Sequence, residues 1–346
     1  MGSIVCSRVC RSLVVLLLAM PFGCSAREYR SFEETKDPVI AVLCQMTREV
    51  VLLDPEDLSV VRRIPLKSQS LDFDTDGREL LTAQTGGHGA EMGKEYGRVD
   101  LNAGTVDYTV LESLDIQTVS VADGGWCMLT AGLISERGQW LHRVGRDGTV
   151  ENMQLSPGIC GSASARDRVW VWHFWDDETG DPSDQYMIYG PTGQPKVISS
   201  QLTMTVGVCG FDDEVIAFGV DGGTARLVRH DARTGRVLRI ATVDGFKVGP
   251  AYAWSAGRYL AIADGPSEDY YRATRLLLID PQTLEIVRVV ESLKGVSAVS
   301  AGPKDSLIVC EGDGSVSLVG ANTANKYVTA TIGDPRGDLV DVAYVP

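Results

Sequence analysis

Three histidines, His88, His142 and His173, are the residues of this chain best suited to acid–base work, since imidazole titrates nearest neutral pH. His88 stands in a glycine-rich stretch, His142 near the start of a β-rich run and His173 near the end of another. Hydrolysis or metal-assisted elimination would need partners at fixed spacing, and none is legible. There is no His-x-Glu-x-His-like set, and Ser162 and Ser164 lack the sharp glycine-flanked turn of an activated serine. The acidic run DDETGDPSD from Asp176 lacks the glycine at position six and the glutamate at position twelve of a calcium-binding loop. Neither a metal nor an organic cofactor is expected.

Binding residues are easier to find. Three long polar stretches, GGHGAEMGKEYG from Gly86, FWDDETGDPSDQ from Phe174 and DGPSEDYYRAT from Asp264, set aromatics beside carboxylates. Tyr96, Trp175, Asp176, Asp177, Glu178, Tyr270 and Tyr271 are the candidate ligand-binding residues. Such a surface suits a neutral or cationic small molecule, or a protein, because aromatics dominate interface energetics and carboxylates steer cations.

What must position them is a repeat. A β-rich run, a tight polar turn and an alternating strand recur, as in VVLLDPEDLSVVRRI from Val50, RVDLNAGTVDYTVL from Arg98, LVRHDARTGRVLRI from Leu227 and LLLIDPQTLEIVRVV from Leu276. Aligning the last turn position gives Leu58, Gly104, Gly148, Gly193, Gly235, Leu284 and Ala324, with steps of 46, 44, 45, 42, 49 and 40. A period in the forties with four short strands per period predicts an all-β fold, a seven-bladed β-propeller of four-stranded antiparallel blades.

Six blades are complete in sequence order, beginning with SLDFD, ELLTAQ, GRVDL and TVDYTVL. The seventh is split: VIAVLC, EVVLLD and SVVRRI at the start supply three strands and LVDVAYV at the end supplies the innermost. Pairing the two ends closes the ring by one C-terminal plus three N-terminal strands and removes open sheet edges. With strands ordered from the channel outward, the first-to-second and third-to-fourth turns share one face and are short. The long stretches join second to third strands on the opposite face, where variable loops on a rigid scaffold carry binding. His88, His142 and His173 are expected toward that face, and Trp170 and Trp172 in the core.

The repeats VVLLDPEDLSVVRRI and LLLIDPQTLEIVRVV resemble those of the YVTN and lactonase-like seven-bladed propellers, across residues 38–346. That motif is a folding signature and carries no catalytic residue. No Trp-Asp pair closes the third strands, so WD40 repeats fit less well. Streptogramin lyases and gluconolactonases of similar fold imply the alternative function, a propeller hydrolase or lyase working from the histidine-bearing face.

Residues 1–24 read as a signal peptide: Arg8 and Arg11, then an apolar core from Leu13 to Met20, shorter than the roughly 20 residues that span a bilayer. A small residue before Cys24 resembles a bacterial lipoprotein processing site, so Cys24 is the candidate lipidation site. Pro21 and Phe22 depart from the lipoprotein pattern, which makes ordinary cleavage after Ala26 the rival. Residues 25–37 form a short linker and 38–346 a single domain. The expected location is the extracytoplasmic face of a cell membrane, lipid-anchored, or else secreted or periplasmic.

The whole chain carries 32 basic and 46 acidic residues, a net charge of −14, and loss of Arg8 and Arg11 makes the balance still more acidic. Such a surface excludes nucleic acid and anionic headgroups as partners, leaving the lipid anchor as the membrane contact. Cys44, Cys127, Cys160, Cys209 and Cys310 form no CxxC pair. The apolar strand contexts of Cys44, Cys127 and Cys310 favour packing, with structural disulfides the alternative. The functional expectation is a non-catalytic binding or assembly scaffold at the cell envelope.

Overall fold

The computed structural model describes residues 37–75, 79–85, 95–111, 116–131, 139–145, 147–155, 158–176, 185–221, 224–244, 252–264, 273–333 and 339–346. The chain opens with β1 (Val39–Cys44), β2 (Glu49–Leu53) and β3 (Val60–Pro65). Blade one follows as β4 (Gln69–Thr75), β5 (Glu79–Thr85), β6 (Glu95–Asp100) and β7 (Thr105–Val110). Blade two is β8 (Ile116–Ala122), β9 (Trp126–Ala131), β10 (Gln139–Val144) and β11 (Val150–Leu155). Blade three is β12 (Gly158–Ala165), β13 (Arg168–Asp176), β14 (Gln185–Tyr189) and β15 (Lys196–Ser199). Blade four is β16 (Met204–Phe211), β17 (Glu214–Asp221), β18 (Thr224–Asp231) and β19 (Val237–Thr242). Blade five is β20 (Tyr252–Ala256), β21 (Tyr259–Asp264), β22 (Arg275–Ile279) and β23 (Ile286–Val290). Blade six is β24 (Val296–Ala301), β25 (Ser306–Glu311), β26 (Ser315–Gly320) and β27 (Lys326–Thr331), and β28 (Leu339–Val345) is the last strand.

Each set forms one four-stranded sheet, and the seventh sheet has the order β28-β1-β2-β3. Its closing register pairs Ile40 with Tyr344, Ala41 with Ala343 and Val42 with Val342. Inner strands touch in sequence from β4 through β8, β12, β16, β20 and β24 to β28, which returns to β4. The chain is a closed seven-bladed β-propeller, as the repeat predicts.

Burial follows from a strand's place in its blade. Middle strands have neighbouring blades on both faces and read as apolar runs: SLIVCE of β25 is buried throughout, as is most of VIAVLC of β1. The outermost strands face water on one side, and KYVTAT of β27 alternates accordingly. Trp170 and Trp172 pack between blades as expected, and Cys44, Cys127, Cys209 and Cys310 are buried.

One conformational demand underlies the repeat. All seven aligned turn positions have positive φ: Leu58 (61°), Gly104 (71°), Gly148 (82°), Gly193 (85°), Gly235 (70°), Leu284 (57°) and Ala324 (58°). In the best-formed copies an aspartate opens the turn: Leu58 N–H donates to Asp54 O, Gly104 to Asp100 O, Gly235 to Asp231 O and Leu284 to Asp280 O. The same aspartates accept from turn amides through their side chains, at 2.7 Å from Glu56, 2.7 Å from Thr234 and 2.7 Å from Gln282. Register shifts at Leu52/Leu53 and Leu278/Ile279 mark the bulge that lets the third strand enter such a turn. Leucine tolerates the left-handed position at 58 and 284 because both side chains are buried. Burying a leucine is worth roughly 1.5–3 kcal/mol, against roughly 1–2 for the strained backbone.

Candidate functional site

The residues expected on the long-loop face divide into three groups. His88, Asp177, Glu178, Tyr270 and Tyr271 lie outside the described residues, as do Cys24 and the whole leader. His173, Trp175 and Asp176 belong to β13, and their backbones pair with Cys160, Ile159 and Gly158 across a register shift. Tyr96 and His142 are corrected. Tyr96 lies within β6 opposite Ala83 and Thr109, 1% exposed in the core shared by blades one and two. Residue 96 is the second position of its strand, so the loop ends sooner than its tyrosine suggests. His142 is fully buried in β10, and its Nδ1 lies 2.8 Å from Asn152 Oδ1 on the neighbouring strand. Alternation along β10 turns this ring toward a neighbouring blade instead of the loops.

A cavity lies on the opposite face, that of the short turns. A cleft of about 730 Å³ opens at the channel mouth across blades two to five. Its floor is made by inner-strand ends at Val121, Ser164 and Ser255, and its rim by the first-to-second-strand turns at Asp123, Arg166, Asp212–Asp213 and Gly257–Arg258. Asp280, Pro281, Gln282 and Arg288 complete the outer wall. A smaller cleft of about 280 Å³ continues across blades five to seven and shares Gly257, Arg258 and Tyr259 with the first.

These turns are joined to one another. Asp123 N–H donates to Arg166 O at 2.6 Å, and Ala232 N–H to Asp213 O at 2.7 Å. Arg166 and Asp213 form an ion pair at 2.7 Å, and Glu214 holds Arg229 at 2.7 Å. Arg258, stacked over Tyr259, donates to Asp305 at 2.8 Å and Asn322 at 2.9 Å, so it forms the partition between the two clefts. Arg166 and Asp212 occupy the left-handed region at φ 49° and 42°. Such backbone is expensive for arginine and aims both side chains from tight hairpins. The sequence signal for this rim was the recurring polar turn ADGG, ARDR, FDDE, SAGR, which only acquires meaning once the ring brings successive turns together.

Deeper in, the channel wall is polar. Thr118 and Ser120 of β8 lie 2.9 and 2.8 Å from Ser162 of β12, a buried hydroxyl cluster. On the other side three carboxylates reach between blades: Asp72 accepts Val119 N–H at 2.8 Å, Asp74 accepts Val121 N–H at 2.7 Å and Asp341 accepts Phe73 N–H at 3.3 Å. Among the described residues no three His, Cys, Asp or Glu side chains are placed to hold a metal ion.

Fold and mouth together define a seven-bladed propeller with a polar cleft at one end of its channel. No protein-family model matches the chain, and no curated protein matches it in sequence. Solved structures match in fold. The dihydro-heme d1 dehydrogenase NirN, in complex with DHE, superposes with a TM-score of 0.56 at 15% identity, covering 92% of this chain and 78% of its own. AztD from Citrobacter koseri gives 0.58 at 11% identity, covering 86% and 82%. A functionally unknown protein from Desulfotomaculum acetoxidans gives 0.63 at 8% identity, covering 89% and 99%. At such identities the likeness is one of architecture.

Proposed function

We propose that this chain is an extracytoplasmic binding propeller, held at a membrane by a lipid on Cys24, whose turn-face cleft takes a small cationic ligand. One observation carries the reading: the cleft of about 730 Å³ sets Asp123, Asp212, Asp213, Glu214 and Asp280 against Arg166, Arg258 and Arg288. Its size is that of a small-molecule site, roughly 300–1,000 Å³. Arg166 and Arg258 are engaged by Asp213 and Asp305 and Glu214 by Arg229, and the lining holds five acidic side chains to three basic ones. A ring of hydrogen-bonded turns holds these groups in place before a ligand arrives, which lowers the entropy cost of binding. We further propose the aromatic and acidic residues Trp175, Asp176, Asp177, Glu178, Tyr270 and Tyr271 as a second contact surface, for a protein partner. For the hydrolase or lyase alternative, burial of His142 away from the loop face counts against a three-histidine site.

Calorimetric titration with spermidine and with choline tests the cleft. At least one should give saturable binding that weakens tenfold or more in the Asp123→Asn, Asp212→Asn double variant. Asparagine is chosen because it tolerates the left-handed turn at 212. Undiminished affinity in that variant, or no binding by the wild type, would place the ligand site elsewhere.

A further inference from the structure

At the junction where the ring closes, the carboxyls of Asp72 on β4 and Asp341 on β28 meet, 1% and 4% exposed. Both oxygens of Asp341 are already occupied, Oδ2 by Phe73 N–H at 3.3 Å and Oδ1 by Val342 N–H at 2.8 Å. Asp72 Oδ2 takes Val119 N–H at 2.8 Å, while its Oδ1 is buried with no N–H or O–H donor among the described residues. Two carboxylates in contact away from water cannot both be ionised, and a buried acceptor left without a donor is costly. A proton on one of them answers both demands, because a carboxylic acid donates to the carboxylate beside it.

We propose that Asp72 and Asp341 hold one proton between them, and that this proton-binding site is an acid-stabilised clasp on the strand that closes the ring. The acid form of Asp72 donates to Asp341, so blade one is bonded to the last strand by a side-chain link beside the Phe73 N–H bond. Loss of the proton puts two like charges face to face at the junction. The proposal is independent of the ligand cleft.

The surroundings favour the proton. Burial and the neighbouring Asp341 charge hold Asp72 well above the usual carboxyl range, and burial pushes Asp341 upward as well. Asp74 on β4 adds a third negative charge nearby. Of the strands packed on the pair, β1 brings Cys44, β25 brings Cys310 and Glu311, and β5 begins at Glu79, while β8 and β24 carry no titratable side chain. Burial keeps the Cys310 thiol protonated, and Glu311 is paired with Lys326 at 2.6 Å. Arg98 of β6, in line with Asp74 across Leu81, acts with Asp74 on the Cys127 thiol. Because the folded pair binds its proton more tightly than the unfolded chain, its stabilisation is full below the ordinary aspartate pKa. It is lost as pH rises through the pair's raised folded pKa.

Infrared difference spectroscopy of the full chain, titrated from pH 5.5 to 9, reads this proton. The expected result is a buried carboxylic C=O band, present at pH 6 and lost as pH rises, and absent in Asp72→Asn. That variant supplies an amide donor to Asp341 while keeping the acceptor for Val119. Its melting temperature should therefore lose the wild-type fall of several degrees between pH 6 and 9 and exceed the wild type at pH 9. Absence of the band from the wild type at pH 6 would overturn the proposal even if the variant failed to fold. Stabilisation of the wild type by added calcium or sodium without the band would mean that a cation occupies the site instead, and would overturn it equally.

Discussion

Ala41 and Ala343 face each other in antiparallel register, so the last strand of the chain lies against the first. The pairing runs from Val39 with Val345 to Cys44 with Leu339 and buries most of β28. Removing residues 339–346 would strip β1 of its inner partner and expose the faces of β4 and β24. A loss of that size exceeds the roughly 5–15 kcal/mol by which domains are stable. The truncated chain should aggregate on expression, and a soluble form with one cooperative melting transition would show that the ring does not depend on β28.

The left-handed turn positions separate backbone strain from packing. Ala324→Gly relieves positive φ at a half-buried site and should stabilise by about 0.5–1 kcal/mol. Leu284→Gly relieves the same strain but removes a core side chain, and should destabilise by roughly 2 kcal/mol or more. At Gly148 an added Cβ meets nothing within 4 Å, whereas at Gly235 it would lie 2.6 Å from Ile198 Cδ1. Gly148→Ala should thus cost only the strain, about 1 kcal/mol, and Gly235→Ala clearly more. Denaturant melts of the four variants check this order, and equal costs at 148 and 235 would contradict it.

His230 predicts an acid-side effect opposite in sign to that of the carboxyl clasp. Its ring packs against Trp170 and Tyr186, its Nδ1 lies 3.1 Å from Gly235 O, and its Nε2 is buried. A carbonyl can only accept, so the proton sits on Nδ1, and burial lowers the pKa below 6.5. The unfolded chain therefore takes up this proton first. The stabilisation is full above the unfolded pKa and is lost as pH falls through the folded one. His230→Phe should flatten the fall in melting temperature below pH 6.5, a result checked by parallel thermal scans. Parallel curves for both proteins would mean that His230 does not stay neutral in the fold.

Repetition makes the architecture legible in the sequence: the turn that recurs from Leu58 to Ala324 is a backbone requirement, and local sequence carries such requirements well. The clasp and cleft were not legible in the same way. Asp72 and Asp341 sit in unremarkable alternating strands at opposite ends of the chain, and only closure puts them in contact. Arg166, Asp212 and Arg258 belong to short turns that look interchangeable in sequence and become one rim when the blades are set side by side. Tyr96 misled because it follows a polar stretch, yet its strand begins one residue earlier, at Glu95.

Anchoring at Cys24 has its own test. Acyl chains contribute about 0.8 kcal/mol per buried CH₂, and two chains give stable attachment. Wild-type protein should sediment with membranes, and Cys24→Ser should remain soluble or accumulate as precursor. Recovery of an unmodified mature chain beginning at Arg27 would contradict the lipoprotein reading.

The most direct test of the binding account is hydrogen exchange of the full chain with and without saturating spermidine or choline, whichever binds the tighter. The account predicts slower exchange at the turn amides of Asp123, Arg166, Asp212, Asp213, Gly257 and Arg258. Slowing confined to residues 86–94, 177–184 and 265–272, with the turn face unchanged, would contradict it.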